Sequence, residues 1–116
     1  MARVLIDTDI LAAHLRGDRR YDPRQDEIFV SAITRSELVA SRGDGGEQIA
    51  RLLAAVKSID VDDEIADRAG QIQRQSGTPL TTALVAATAV EHELTLVTLN
   101  LFAYRGIGGL QAMAPS

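Results

Sequence analysis

Short apolar runs alternate with helix-spaced apolar residues along this chain, and that alternation restricts the fold more than any other feature. Arg3-Val4-Leu5-Ile6 is apolar, too short for a helix, and ends on Asp7, so it reads as a buried strand. Thr8 or Asp9 can cap a helix with Ile10, Leu11 and Leu15 on one face, stopped by Gly17. After a loop to about residue 26, Ile28-Phe29-Val30 forms a second strand, and Ser31 or Thr34 opens a helix through Leu38 and Val39 to about Ser41. Asp44-Gly45-Gly46 breaks the chain before Ile49, Leu52, Leu53 and Val56 recur at helical spacing. A brief strand follows from Ser58 to Val61, then a helix opened by Asp62 or Asp63 and carried by Ile65, Ala69 and Ile72 to Gly77. Gly77-Thr78-Pro79 resets the direction before a small-residue helix from about Thr81 to His92. Leu94-Thr95-Leu96-Val97-Thr98 is a clear strand, and Leu110 to Met113 a weaker one. Strand alternating with helix predicts an α/β domain, a parallel sheet of four to five strands covered by helices.

At 116 residues the expectation is one domain, 1–116, with no room for a second. Hydrophobic residues make up 46% and charged ones 24%, the balance of a globular core rather than a disordered chain. The lack of cysteine excludes disulfides and thiolate metal sites, and His14 and His92 are too few for a nitrogen-rich centre, so any metal is held by oxygen. No apolar run is long enough to span a bilayer and the first residues do not form a secretory signal, which makes cytoplasmic residence the expectation. A net charge of −4 argues against a broad basic face. All but one of the twelve basic residues are arginine, however, the residue suited to bidentate phosphate contact. Their densest cluster is Arg16, Arg19, Arg20 and Arg24, either a solvated loop or a phosphate contact.

Chemistry enters through the acids. In an open parallel sheet, ligands bind beyond the carboxyl ends of the strands where the strand order reverses. Asp7 ends the first strand, Thr98 and Asn100 end the later one, and Glu37 can return to the same edge from the second helix. Two carboxylates placed there repel unless a cation lies between them. Magnesium, or manganese in its place, suits such a site, because it takes one or two protein carboxylates and fills its other positions with water and phosphate. A centre of that kind hydrolyses phosphodiesters.

The residues also resemble a known family. Leu5-Ile6-Asp7-Thr8-Asp9-Ile10-Leu11-Ala12 resembles the opening of PIN domains, and Ala32-Ile33-Thr34-Arg35-Ser36-Glu37-Leu38 their threonine-x-x-glutamate segment. Leu84-Val85-Ala86-Ala87-Thr88-Ala89, followed by Leu94-Thr95-Leu96-Val97-Thr98-Leu99-Asn100, is similar to the C-terminal half of VapC toxins. The resemblance spans Leu5 to Leu110 and implies a three-layer α/β/α domain. It further implies a magnesium-dependent endoribonuclease, paired with a VapB-type antitoxin and commonly a homodimer. Asp7 and Glu37 match the family's acids. Asp9 stands where asparagine is usual, Thr82 where the family has aspartate, Ala103 near a usual aspartate or histidine, and Gly108-Gly109 in place of proline-glycine.

The resulting expectation places Asp7, Glu37 and Asn100 in catalysis, with Asp7 and Glu37 as metal ligands and Asp9 as a candidate third. Thr82 occupies an altered ligand position, Thr8 and Thr98 orient substrate, and Arg16, Arg19 and Arg20 contact RNA phosphates. Other roles stay open: Asp7 as a helix cap, Glu37 as half of a capping box with Thr34, Asp9 as a complement to the helix dipole. The alternative function is a PIN module that has lost catalysis and acts by binding antitoxin or RNA. Ile10, Leu11, Leu15, Ile49, Leu52 and Leu53 are expected to leave apolar surface for a partner.

Overall fold

The computed structural model describes residues 2–18, 26–41 and 46–115. Its elements run β1 (Ala2–Ile6), α1 (Thr8–Arg16), β2 (Asp26–Ser31), α2 (Ala32–Ser41), α3 (Gly46–Ala54), β3 (Lys57–Ile59), α4 (Asp63–Ser76), α5 (Leu80–Glu91), β4 (Thr95–Val97) and β5 (Ala112–Met113). A short 3-10 helix, Leu101–Tyr104, precedes β5 and is absent from the sequence expectation. All strand pairings are parallel, in the order β3-β2-β1-β4-β5. The chain lays down β1, β2 and β3 on one side, then returns to set β4 and β5 on the other. The order therefore reverses between β1 and β4, which fixes where a ligand site belongs.

The period-two alternation of β1 divides the core. Val4 and Ile6 face Ile10, Leu11, Leu38, Ile49 and Leu53 of α1, α2 and α3. Leu5 faces the other way, toward Ile65, Ala69 and Ile72 of α4 and the alanine-rich α5. Helices on both faces of the sheet give the three-layer α/β/α arrangement. Leu5, Ile6 and Leu96 are fully buried, each stabilising the fold by roughly 1.5–3 kcal/mol. In α5 the run Val85 to Ala89 is wholly buried. Small side chains let this helix lie close to both α4 and the sheet.

Several boundaries differ from the expectation. Asp7, rather than Thr8 or Asp9, caps α1: its backbone is extended and its side chain accepts from Thr8 N. Ser31 ends β2, and its Oγ accepts from Ile33 N at 3.0 Å, so it serves the start of α2 while Thr34 lies inside that helix. Asp62 and Gly77 close α4 as expected, with Gly77 at a φ of 72° that only glycine adopts without strain. The apolar surplus expected of α1 and α3 is largely consumed internally, since Ile10, Leu11, Ile49 and Leu53 are buried in the core, and only Leu15 and Leu52 remain half-buried. Among the described residues no helix is long and apolar enough to cross a membrane.

Candidate functional site

A cavity of about 280 Å³ opens at the carboxyl ends of β1 and β4, lined by Asp7, Thr8, Asp9, Glu37, Thr81, Thr82, Val85, Asn100, Ala103 and Tyr104. Residues up to ninety-seven positions apart meet here.

Asp7 follows the last residue of β1, and its own N–H donates to Val97 O at 3.0 Å, tying it to β4. Its carboxylate is only 9% exposed. Burial on that scale demands donors, and three are present: Thr8 N reaches Oδ1 at 2.8 Å, while Thr98 Oγ1 and the Tyr104 hydroxyl each reach Oδ2 at 2.9 Å. Both hydroxyl donors are themselves buried. Burial, then the negative charge of Asp7, push the Tyr104 phenol well above its ordinary value, so it stays protonated and keeps donating.

Asp9 stands one residue into α1, and its two oxygens share the Leu99 N–H at 3.3 and 3.2 Å. Thr98 Oγ1 lies 3.2 Å from Asp9 but 2.9 Å from Asp7, and a hydroxyl has one proton, so the closer Asp7 receives it. Partial burial and the adjacent Asp7 charge hold the Asp9 carboxyl above the usual aspartate range, the Leu99 and Thr98 contacts opposing them.

Glu37 is exposed on α2, and its Oε1 accepts from Thr8 Oγ1 at 2.7 Å. The same hydroxyl lies 3.1 Å from Thr34 Oγ1, which is fully buried. The capping-box pairing of Thr34 with Glu37 does not form, because Thr34 turns into the core and Glu37 turns toward α1. Thr8 thus touches both acids, giving its N–H to Asp7 and its hydroxyl to Glu37.

Thr82, half-buried in the first turn of α5, lines the cavity opposite these acids, as does Ala103. Asn100 borders the cavity too, but its Oδ1 caps the 3-10 helix by accepting from Ala103 N at 3.3 Å. Arg16 does not line the cavity. It sits at the far end of α1, about 12 Å along the helix from Thr8, and pairs with Asp18 at 2.7 Å. Arg19, Arg20 and Arg24 lie outside the described residues. His14 is half-buried at the end of α1 and His92 exposed at the end of α5, and neither lines the cavity.

Tyr104 is the residue that reading the sequence missed. It falls in a segment without periodicity, and its only signal is a hydroxyl-bearing ring six positions after Thr98, just beyond a strand end. Thr34 was noticed only as a cap.

The donor set is all oxygen, and no three or more acidic or histidine side chains among the described residues form a ready metal cage. Two aspartates and a glutamate supplemented by hydroxyls suit a hard, well-hydrated cation that keeps several waters, and suit a soft one poorly.

The PIN domain family model matches residues 4–101. Ribonuclease VapC10 of Mycobacterium tuberculosis is 33% identical over 111 residues, which cover 85% of this chain and 84% of the relative. A toxin–antitoxin complex from Klebsiella pneumoniae contains a chain 29% identical at a TM-score of 0.79, with 97% of this chain and 98% of that one covered. VapBC2 from Rickettsia felis, bound to a DNA fragment from its promoter, shares the fold at a TM-score of 0.80 and 20% identity, covering 98% and 99% of the two chains.

Proposed function

This chain belongs to the VapC group of the PIN domain family, and from that premise we propose that it is a magnesium-dependent endoribonuclease held in check by a VapB-type antitoxin. The observation that carries the proposal is the convergence of Asp7, Asp9 and Glu37 on one cavity at the point where strand order reverses. Asp7 and Glu37 would hold the cation, with Asp9 beside them. A magnesium ion there would supply charge neutralisation for the phosphate and a bound water more acidic than bulk water, from which a base could take the proton.

The chain's own residues prepare the rest. Thr98, Tyr104 and the α1 backbone fix the Asp7 carboxylate in orientation. Thr8 holds Glu37 against α1. Asn100 keeps the 3-10 helix closed over one side of the cavity, and its amide borders the space a phosphate would occupy. Neither Thr82 nor Ala103 adds charge, so cation affinity rests on one wall. The toxin–antitoxin assemblies among the similar structures support a VapB-type partner, and a second copy of this chain is the expected companion, checked by light scattering.

A second reading is favoured by one observation: Thr82 and Ala103 face the cavity where acids would complete it, and Tyr104 occupies Asp7 Oδ2. In that reading the chain binds antitoxin or RNA without cutting. Incubating the chain with structured RNA in magnesium, in manganese and in EDTA separates the two. Metal-dependent cleavage that Asp7→Asn abolishes supports the nuclease; intact RNA in every lane, with RNA or antitoxin binding retained, supports the binding module.

A further inference from the structure

A second hollow, about 430 Å³, lies between α4 and residues 105–108. Its polar lining is Arg68, Gln71, Gln75, Ser76 and Arg105, and no carboxylate lines it. In a chain of net charge −4 that is a deliberate contrast with the acid-lined cavity. Arg68 is committed to Glu91 at 2.7 Å. Arg105 makes no ion pair among the described residues; its guanidinium lies 3.9 Å from the centroid of the Phe102 ring. Gly106 and Gly108 leave the backbone bare beside it, since a Cβ built on either meets nothing within 4 Å.

The 3-10 helix Leu101–Tyr104 joins the two hollows. Ala103 and Tyr104 line the acid cavity, Arg105 lines the cationic groove, and Phe102, one residue before Ala103 and in contact with Arg105, is 69% exposed. An aromatic ring left this open contributes little to the core. Its contact with the Arg105 guanidinium leaves most of its surface to solvent.

We propose that Phe102 and Arg105 form a nucleotide subsite for single-stranded RNA. The Phe102 ring stacks one base next to the acid cavity, and Arg105 takes the neighbouring phosphate at the mouth of the carboxylate-free groove. Stacking on an aromatic is tolerant of base identity and works on unpaired nucleotides, so the substrate class is an unstructured segment rather than a duplex. The proposal rests on the RNA reading of the acid cavity and adds where the strand runs beyond it. Charge favours RNA over a protein partner, because the groove offers guanidinium and carboxamide groups to an anion.

The test is fluorescence anisotropy of a short unstructured labelled RNA with the full chain, in EDTA so that nothing is cut, across a salt series. Phe102→Leu is expected to weaken binding about tenfold while leaving the salt slope unchanged, with Phe102→Trp restoring it. Arg105→Gln is expected to flatten the slope of log affinity against log salt by about 0.7, one single-strand phosphate contact, and Arg105→Lys to keep it. If the wild-type chain binds and both Phe102→Leu and Arg105→Gln match it, the subsite is overturned and the RNA reading stands. If the folded wild-type chain binds no RNA at any salt, both fall together. If Phe102→Leu leaves RNA binding intact but changes the mass in light scattering, the ring belongs to a protein contact and the subsite is overturned.

Discussion

The two walls of the acid cavity are made of opposite chemistry. One, from β1, α1 and α2, carries all the charge: Asp7, Asp9 and Glu37. The other, from α5, the end of β4 and the 3-10 helix, presents Thr82, Val85, Ala103, Tyr104 and, behind them, Thr98. A hydroxyl facing a carboxylate donates to it, where an opposing carboxylate would repel it. The second wall therefore stabilises Asp7 without help from a cation, and it does so by occupying lone pairs a cation would use. Stability of the empty site and affinity for a metal pull against each other here, and Tyr104 is where they meet.

The sharpest way to break this contrast is to remove the charge of the first wall. Asp7→Asn is expected to lower RNA cleavage more than a hundredfold, the loss of several kcal/mol of charge stabilisation. Asparagine caps helices about as well as aspartate, but its amide nitrogen cannot accept from Thr98 and Tyr104 as Oδ2 does. Stability in a circular dichroism melt should therefore fall by about the worth of a hydrogen bond to a charged group, and cleavage is compared at a temperature where both chains are folded. Adding charge to the second wall is the converse. Thr82→Asp is expected to raise magnesium affinity on the order of tenfold in calorimetric titration, because affinity follows the number of anionic oxygens. A folded Thr82→Asp chain with wild-type titration and cleavage would show that this position does not face the acids.

Tyr104→Phe removes one of the two hydroxyls on Asp7 Oδ2 while keeping the buried ring. Its expected cost is about 1.5–3 kcal/mol of unfolding free energy, the scale of a hydrogen bond to a charged group, read by urea denaturation. Metal affinity should rise in the same variant, so the two readouts move in opposite directions. The smallest effect belongs to Asp9. Its carboxyl is held above the usual range, so the folded chain binds that proton more tightly than the unfolded one. This favours folding at low pH and is lost as pH rises through the folded value, leaving charged Asp9 mildly destabilising at neutrality. Asp9→Asn should thus raise unfolding free energy at pH 7 by less than about 1 kcal/mol, given its partial exposure. The gain should vanish on acidification.

What the sequence made legible follows from which interactions are local. Strands β1 and β4, helices α4 and α5, and the acids at their ends were readable because period, cap and breaker lie within a few residues of one another, as at Asp62 and Gly77. The cap of α1 stays open among Asp7, Thr8 and Asp9 in the sequence because Asp7 performs two tasks at once, and each alone accounts for its presence. Tyr104 was invisible because its partner is 97 residues away, in a segment whose 3-10 turn has no apolar rhythm. The apolar faces of α1 and α3 looked available to a partner because sequence shows a stripe without showing what covers it. Here Val4, Ile6 and Val30 of the sheet and Leu38 of α2 share one core with them.

The bond from Thr98 to Asp7 spans 91 residues, and β4 slots in beside β1 only after β2 and β3 have taken the other side. During synthesis, both matched acids are made by residue 37, yet the hydroxyls that orient Asp7 follow only at residues 98 and 104. A nascent chain that stops short of residue 95 has the charges and half a cavity. The sheet order thus sets a schedule: assembly of the cavity waits for Thr98 and Tyr104, and a product terminated before them carries an Asp7 carboxylate without the hydroxyls that orient it.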